Sequence, residues 1–388
     1  MEEKMTLCIP CLFGVEGLVA EELREQECEN GRAENGRVLF SGNWETVARA
    51  NLNCRFGERV LILLGSFRAR SFEALFQGVK GLPWERYLGK EDQFPVTGSC
   101  LSSQLHSVPD CQSIVKKAVV ERMKGKYRIA WFPETGPLHR IRFRILKDQV
   151  SVMIDTSGEG LHKRGYRAVS TEAPIKETLA ASLVKLSRLR SDGNFIDPFC
   201  GSGTLLVEAA LLARHIAPGL GRTFNGETWR DSDPKVWQRE RERAASLERK
   251  DATFQATGYD IDPGAVELSL ANAKKAGVGD WVRASVRDIR AFSQEDTYGC
   301  VVCNPPYGER LLDVQAAEEL YRVMGKVFQP KRGWSFGIIT PDGEFENLFG
   351  RRADKRRKLY NGMIQCQYYQ YFRSEAKRDG SLSTQAAR

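Results

Sequence analysis

Asn304-Pro305-Pro306-Tyr307 is the stretch whose residue types and spacing could do chemistry most directly. It follows Gly299–Cys303, a short apolar run that predicts a buried strand. Adjacent prolines cannot continue a helix and supply no ladder donors, so the strand should end there. Asn304 offers a side-chain carbonyl, Pro305 a backbone carbonyl without a competing N–H, and Tyr307 a ring that can stack on a planar base. Two acceptors beside an aromatic ring suit an exocyclic –NH₂ group.

A glycine-rich turn follows an earlier predicted strand, in the sequence Asp197-Pro198-Phe199-Cys200-Gly201-Ser202-Gly203-Thr204. A turn of this kind leads from a strand into a helix and lets a ligand approach the backbone closely. The pattern lacks the third glycine of a dinucleotide fingerprint and the Gly-Lys-Ser/Thr of a phosphate loop. An acidic strand end without phosphate-binding chemistry favours a nucleoside-like cofactor that carries an ammonium group.

Two further aspartates occupy the ends of the next two predicted strands. Asp260 is placed to accept hydrogen bonds from two ribose hydroxyls, and Asp288 to accept from an adenine amino group. Each aspartate alone is more often a helix cap than a ligand. Three carboxylates at successive strand ends of one sheet indicate a binding site.

The elements that must position these residues alternate strand and helix from residue 176 onward, as in a doubly wound, mostly parallel sheet. Asn361-Gly362 then predicts a terminal antiparallel hairpin. The strands are predicted at Asn194–Ile196, Gln255–Tyr259, Val282–Val286, Gly299–Cys303, Ser335–Thr340, Lys355–Tyr360 and Met363–Phe372. The fold class is therefore α/β with a Rossmann-like C-terminal domain.

The N-terminal part reads as two smaller α/β units. Residues 1–65 alternate strand and helix in the ferredoxin-like manner. Further on, Arg140-Ile-Arg-Phe-Arg-Ile-Leu146 alternates strictly and predicts a hairpin whose outward face is arginine. Such arginines repel one another unless an anion lies over them.

Positive charge is concentrated in two segments of a chain with a formal net charge of +8. Residues 66–165 carry 17 basic against 10 acidic residues, and residues 321–388 carry 14 against 6. This distribution is typical of a polyanion-binding protein, although solvated helix and hairpin faces would give it equally well. We predict phosphate contacts in the first segment, at Lys116, Lys117, Arg140, Arg142 and Arg144.

Together these motifs resemble the S-adenosylmethionine-dependent methyltransferases that modify exocyclic amines. More narrowly, the chain resembles the bacterial 23S ribosomal RNA guanine-N2 methyltransferases that carry a THUMP domain. The matching stretches include "SFEALFQGVKGLPWERYL", "GLHKRGYR", "APIKETLAASLV", "DPFCGSGTLLVEAALLARHIAPGL", "CNPPYGERL" and "KRRKLYNGMIQCQYYQYF".

The resemblance covers essentially residues 5–373 and implies both the cofactor and the RNA substrate. It implies that Asn304, Pro305, Pro306 and Tyr307 form the catalytic stretch. It also implies that the cofactor, S-adenosylmethionine, contacts Asp197, Pro198, Phe199, Cys200, Gly201, Gly203, Thr204, Asp260, Ile261, Asp288 and Asn304.

The predicted domains are a ferredoxin-like domain at 1–65, a THUMP RNA-binding domain at 66–155, a connector at 156–175 and a methyltransferase domain at 176–373. An insertion of about residues 217–251 interrupts the last domain; it could cover the active site or touch RNA, but a packing insertion is the favoured interpretation. A disordered tail is expected at 374–388.

Three alternatives to this function remain open: a tRNA guanine-N2 methyltransferase, a DNA or RNA adenine-N6 methyltransferase, and a catalytically silent RNA-binding assembly factor. The last would need a damaged cofactor pocket, and none of the expected positions is damaged.

Two C-x-x-C pairs lie in or beside predicted strands, where positions i and i+3 face opposite sides, so no metal site is expected. The N-terminus lacks the pattern of a signal peptide, which predicts a cytoplasmic protein without a membrane partner.

Overall fold

The computed structural model describes residues 4–167, 175–295, 298–307 and 311–372. These residues form two compact units. The first contains the described residues up to 161 apart from the loop 12–14, together with Ala217–Ser246. The second contains the loop 12–14, residues from 162 to 216 and residues from 247 onward. The tail predicted to be disordered lies outside the described residues.

A seven-stranded sheet forms the core of the first unit, in the strand order β2-β3-β1-β4-β7-β6-β5. Its pairings are antiparallel except for the parallel pair β5–β6. The strands are β1 (Met5–Pro10), β2 (Glu29–Glu34), β3 (Arg37–Gly42), β4 (Leu61–Arg68), β5 (Val96–Leu101), β6 (Ile141–Leu146) and β7 (Gln149–Asp155). The helices are α1 (Glu16–Glu25), α2 (Trp44–Asn53), α3 (Phe72–Lys80) and α4 (Val108–Tyr127). The domain boundary predicted between residues 65 and 66 falls within β4, which pairs with both β1 and β7.

The arginine hairpin is confirmed as β6 and β7, and part of its arginine face has partners within the protein. Arg142 needs no external anion, because its Nε donates to Asp155 Oδ2 at 2.8 Å and that carboxylate is fully buried. Arg59 donates to the same oxygen at 2.8 Å. Burial, followed by the charge of Arg37, also lowers the pKa of Arg144. The face is therefore partly a structural ion-pair network.

The predicted insertion packs within the first unit. Its helix α7 (Pro234–Ser246) contacts α2, where Arg49 donates to both carboxylate oxygens of Glu240 at 2.8 and 2.9 Å. Trp229 stacks on the His139 ring with centroids 4.2 Å apart. These contacts support the packing interpretation for Ala217–Ser246.

A second seven-stranded sheet forms the other unit, in the order β10-β9-β8-β11-β12-β14-β13. It is parallel from β10 to β12 and ends in the predicted antiparallel hairpin. Its strands are β8 (Asn194–Asp197), β9 (Gln255–Asp260), β10 (Val282–Val286), β11 (Gly299–Cys303), β12 (Trp334–Thr340), β13 (Lys355–Asn361) and β14 (Ile364–Tyr371). Its helices are α5 (Glu177–Leu186), α6 (Thr204–Ala213), α8 (Pro263–Lys275), α9 (Leu311–Val327) and α10 (Phe345–Phe349). The predicted α/β fold with a mostly parallel sheet is confirmed.

Candidate active site

The carboxyl ends of the parallel strands meet at one edge of the second sheet. The chain runs from β8 outward to β9 and β10 on one side, and β11 and β12 lie on the other side of β8. This reversal is a topological switch point, where open α/β sheets bind ligands. The predicted residues at the ends of β8, β9, β10 and β11 therefore lie around one crevice.

The two glycines of the turn after β8 have different tasks. Gly201 has a φ of +50°, and a Cβ built there would meet no atom within 4 Å, so the backbone borders open space. Gly203 has a φ of +79°, and a Cβ there would lie 2.4 Å from Ser269 Oγ of α8. Gly203 thus allows close packing at the start of α6. A cofactor contact at Gly203 stays a prediction.

The side-chain carboxylate of Asp260 accepts hydrogen bonds from backbone N–H groups in the turns after two strands. Its Oδ2 accepts from the Gly201 N–H at 2.9 Å, and its Oδ1 accepts from the Asp262 N–H at 3.0 Å. The neighbouring Ile261 is 71% exposed, and both side chains line the same cavity. An exposed apolar side chain next to a fixed carboxylate suits a nucleoside.

Asp288 lines the cavity but is already engaged within its own turn. Its Oδ1 accepts from the Arg290 N–H at 2.8 Å, and its Oδ2 pairs with Arg290 Nη1 at 2.9 Å. Asp288 thereby caps a short 3₁₀ turn, Ile289–Ala291. Its acceptance of a hydrogen bond from adenine stays a prediction.

Asp197 is the most deeply buried of the three carboxylates, with 1% of its surface exposed. Its Oδ1 accepts from the Phe199 N–H at 3.1 Å. Burial, opposed by this hydrogen bond and reinforced by the charge of Asp260, raises the pKa of Asp197 to about 8. A cation bound beside it would favour the ionised carboxylate.

Asn304 presents a buried polar atom without a partner. Its Oδ1 is inaccessible to solvent and accepts no hydrogen bond within the described part of the chain. Buried acceptors are normally satisfied, so an orphan atom in a cavity wall requires an explanation. Asn304 follows the buried strand β11 and lines the cavity together with Pro306, whereas Pro305 is itself buried. Acceptance of a hydrogen bond from a ligand by Asn304 stays a prediction.

The Tyr307 hydroxyl accepts a hydrogen bond from the edge strand β13. Asn361 of β13 donates from Nδ2 to the Tyr307 hydroxyl at 3.1 Å. The last residue of the predicted catalytic stretch is therefore anchored to the terminal hairpin, a contact that the sequence did not predict.

The cavity at this edge has a volume of about 440 Å³. It brings together nearly all the predicted cofactor residues and several that sequence reasoning missed. The predicted members of its lining are Asp197, Pro198, Phe199, Cys200, Gly201, Thr204, Asp260, Ile261, Asp288 and Asn304. The missed members include Ile175, Leu205, Arg287 and Leu320. Leu205 and Arg287 had a signal, their positions next to Thr204 and Asp288.

The predicted phosphate contacts lie in the first unit. Lys116 is committed to internal contacts, since its Nζ pairs with Glu134 at 2.6 Å and donates to the Phe94 carbonyl at 3.2 Å. Arg140 is half-buried, with Nε lacking a hydrogen-bond partner among the described residues. Lys117 is exposed on α4. RNA binding by these residues stays a prediction.

The described residues contain neither a cluster of metal-binding side chains nor a helix that could span a membrane. They contain no group of three or more His, Cys, Asp or Glu side chains that could hold a metal ion. No helix in the described ranges is both long and apolar enough to cross a membrane.

Three family models match the chain in succession. Residues 6–61 match the RlmL ferredoxin-like domain, residues 69–155 the THUMP domain, and residues 164–370 the family described as "RMKL-like, methyltransferase domain".

Curated relatives agree with these matches. The Bacillus subtilis protein named "Putative RNA methyltransferase YpsC" is 41% identical over 95% of this chain and 96% of its own length. The Psychromonas ingrahamii "Ribosomal RNA large subunit methyltransferase K/L" is 34% identical over 92% of this chain. Only 49% of that relative is covered, so the chain spans about half its length.

Solved structures also share the whole fold. SMU.472, described as "a putative methyltransferase complexed with SAH", is 43% identical with a TM-score of 0.90 and covers 96% of this chain and 99% of its own. A Listeria monocytogenes protein described as "a predicted N6-adenine-specific DNA methylase" is 45% identical with a TM-score of 0.90. It covers 95% of this chain and 96% of its own. The sheet, the strand-end cavity and these matches agree: the chain is an S-adenosylmethionine-dependent methyltransferase that belongs to the RMKL-like family and carries ferredoxin-like and THUMP domains.

Proposed function

We propose that the chain methylates the exocyclic N2 amine of a guanine in 23S ribosomal RNA. The observation that carries the proposal is the orphan Oδ1 of Asn304, a buried acceptor in the wall of the cofactor cavity. The ribosomal substrate is suggested by the printed name of the K/L relatives and by the THUMP match at residues 69–155.

The cavity residues fit S-adenosylmethionine. Ile261 exposes an apolar surface for a base, and the open side of Gly201 leaves room for close approach. The carboxyl of Asp197 suits an ammonium group, and Asp260 suits ribose hydroxyls. When bound, the cofactor supplies an electrophilic methyl group.

Asn304 would orient the target amine. The amino group of guanine is a poor nucleophile because its lone pair is delocalised into the base. Hydrogen bonds from its two N–H groups to Asn304 Oδ1 and the Pro305 carbonyl would favour a pyramidal nitrogen with an available lone pair. An amide cannot take a proton at neutral pH, so the excess proton leaves only after the nitrogen has become cationic. The residues thus act by positioning and not as a strong base.

An adenine-N6 activity is the second candidate, because the same acceptors fit the adenine amine. The printed description of the Listeria monocytogenes structure names that chemistry for DNA. The matched THUMP domain favours RNA over DNA as the substrate of this chain.

Tritiated methyl transfer followed by nucleoside analysis tests the proposal. We expect N2-methylguanosine from a 23S ribosomal RNA transcript and little label in tRNA or DNA. Label recovered as N6-methyladenosine would replace the guanine assignment, and label found chiefly in tRNA would replace the ribosomal one.

Asp260→Ala should weaken S-adenosylhomocysteine binding by about 1.5–3 kcal/mol, the range for hydrogen bonds to a charged acceptor. The change also releases the backbone N–H groups of Gly201 and Asp262, so calorimetry should be paired with thermal unfolding. Asp260→Asn keeps the shape and one acceptor and should lose less affinity. Unchanged affinity in the alanine variant would remove Asp260 from the site.

Lys117→Ala and Arg142→Ala should separate RNA binding from folding. Lys117 is exposed, so its removal should lower the salt slope of RNA binding by about one unit and leave the unfolding midpoint unchanged. Arg142 pairs with buried Asp155, so its removal should chiefly lower thermal stability. The measurements are filter binding across salt concentrations and thermal unfolding. A wild-type salt slope in Lys117→Ala would assign that lysine to a solvated helix face.

A further inference from the structure

The terminal hairpin ends in a tight turn with an exposed apolar tip. Asn361 of β13 pairs with Ile364 of β14, so the turn consists of Gly362 and Met363. Gly362 takes a φ of +62°, which suits the first position of a two-residue hairpin turn. Met363 is 97% exposed, more than any other large apolar side chain of the described residues.

Strand direction places this tip at the active-site edge of the sheet. β14 is antiparallel to β12, and β13 is antiparallel to β14, so β13 runs in the same direction as the parallel strands. Its carboxyl end therefore lies at the edge where the parallel strands end. The hydrogen bond from Asn361 to Tyr307, 3.1 Å long, joins the turn to the catalytic stretch.

The outer strand of the hairpin is strongly basic. β13 is the edge strand of the sheet, and it contains Lys355, Arg356, Arg357 and Lys358 but no acidic residue. Arg356 is paired with Glu346 at 2.8 Å. The other three form no ion pair with any residue that the structure describes. At about 3.3 Å per residue, Lys358 and Lys355 lie about 10 and 20 Å from Asn361 along the strand.

A base amine inside an RNA helix is not accessible to an enclosed active site. Enzymes that modify such a base extrude the nucleotide from the stack, which costs stacking and pairing energy. Proteins commonly offset this cost by inserting an apolar side chain, methionine included, between base steps while cationic side chains hold the phosphates.

We propose that the β13–β14 hairpin is a strand-separating wedge for RNA. Met363 enters the base stack beside the target nucleotide, the exposed Lys355 and Lys358 contact the backbone phosphates, and the link from Asn361 to Tyr307 aligns the wedge with the catalytic stretch. This inference rests on the proposed function, since it requires an RNA base as the substrate. Single exposed apolar residues are common on protein surfaces, so the experiment must distinguish a wedge from a surface turn that does not contact the RNA.

Methyl transfer to paired and unpaired targets tests the wedge. The probe is the shortest helical fragment of the 23S transcript that the wild-type protein methylates, with a second version in which the nucleotide opposite the target is removed. Met363→Ala should slow single-turnover transfer to the paired target about tenfold and leave the unpaired target unaffected. Met363→Leu, which keeps the apolar bulk, should restore the rate. Equal rates for Met363→Ala and wild type on the paired target, or an equal deficit on both targets, would overturn the wedge.

A fluorescence assay makes the wedge testable even if the methylation proposal fails. 2-Aminopurine at the target position brightens when it leaves the stack, and Asn304→Ala is expected to make turnover slow enough to observe the bound state. We expect severalfold brightening on binding by Asn304→Ala and loss of most of it when Met363→Ala is added. Brightening that survives the double change excludes the wedge, whereas a normal fluorescence result with a product other than N2-methylguanosine would overturn only the base assignment.

Paired charge removals test the phosphate contacts. Lys355→Ala with Lys358→Ala should lower the salt slope of binding to the same fragment by about two units. The matched control is Lys274→Ala with Lys275→Ala. These two exposed lysines end α8, and the carboxyl end of a crossover helix lies at the opposite edge of the sheet from the cavity. Equal slopes for the two double variants would contradict RNA contact along β13.

Discussion

Asn304→Ala should lower the single-turnover rate of methyl transfer by about two to three orders of magnitude, the loss seen when one preorganised polar group is removed from a reacting centre. The structure gives the reason, since Asn304 Oδ1 is buried in the cavity wall without a partner among the described residues. Removing an unsatisfied acceptor breaks no internal hydrogen bond through that atom. The measurement is single-turnover kinetics on ribosomal RNA at saturating cofactor.

Measurements of cofactor affinity and of two Tyr307 variants serve as controls for the Asn304→Ala result. S-adenosylhomocysteine should bind Asn304→Ala with nearly wild-type affinity, because most of the cavity wall is contributed by β8, β9 and β10 and the turns after them. Tyr307→Phe keeps the ring and loses the hydroxyl that accepts from Asn361, so its effect should be mild. Tyr307→Ala removes the stacking surface and should be severe. A near-wild-type rate in Asn304→Ala would mean that this stretch serves only to end β11.

The strands that sequence patterns revealed and those they missed differ in their position within the sheets. The parallel strands β8, β9, β11 and β12 each have a neighbouring strand on both sides and were predicted closely. β10 was also predicted, although it is an edge strand and mostly exposed. β2 and β5 were missed, and they are the two edges of the first sheet. β2 is polar and exposed along almost its whole length, so its sequence has no apolar pattern that would predict a strand. It is identified as a strand by its pairing with β3. β13 is also an edge strand, but the Asn361-Gly362 turn revealed it.

In the candidate site, the features that the sequence predicted are local, and the contacts that it missed join residues far apart in the chain. The aspartates and the glycine turn could be predicted because parallel strands end at one edge of a sheet. The hydrogen bond from Gly201 to Asp260 spans 59 residues, and no local pattern indicates it. Leu320 of α9 enters the cavity through the packing of a helix on the sheet, which the sequence alone does not specify.

Cofactor affinity should rise with pH, because Asp197 must lose a proton to pair with the ammonium group. Burial raises the pKa of this carboxyl to about 8, so it is protonated in the free protein at neutral pH. A bound cation stabilises the carboxylate, so binding below pH 8 releases a proton. S-adenosylhomocysteine affinity should increase about tenfold per pH unit between about pH 6 and 7.5, where the amino group of the ligand stays charged. Calorimetry across this window measures the slope.

Asp197→Asn provides the matched control for this pH dependence. Asparagine keeps the shape and one carbonyl acceptor for the Phe199 N–H but has no proton to lose in this range. Its affinity should therefore be flat across the window and weaker than wild type at the upper end. Calorimetry at pH 6.5 in two buffers of different ionisation enthalpy should show release of nearly one proton for the wild type and much less for the variant. The same slope in both proteins would place the titrating group elsewhere and remove Asp197 as the partner of the ammonium group.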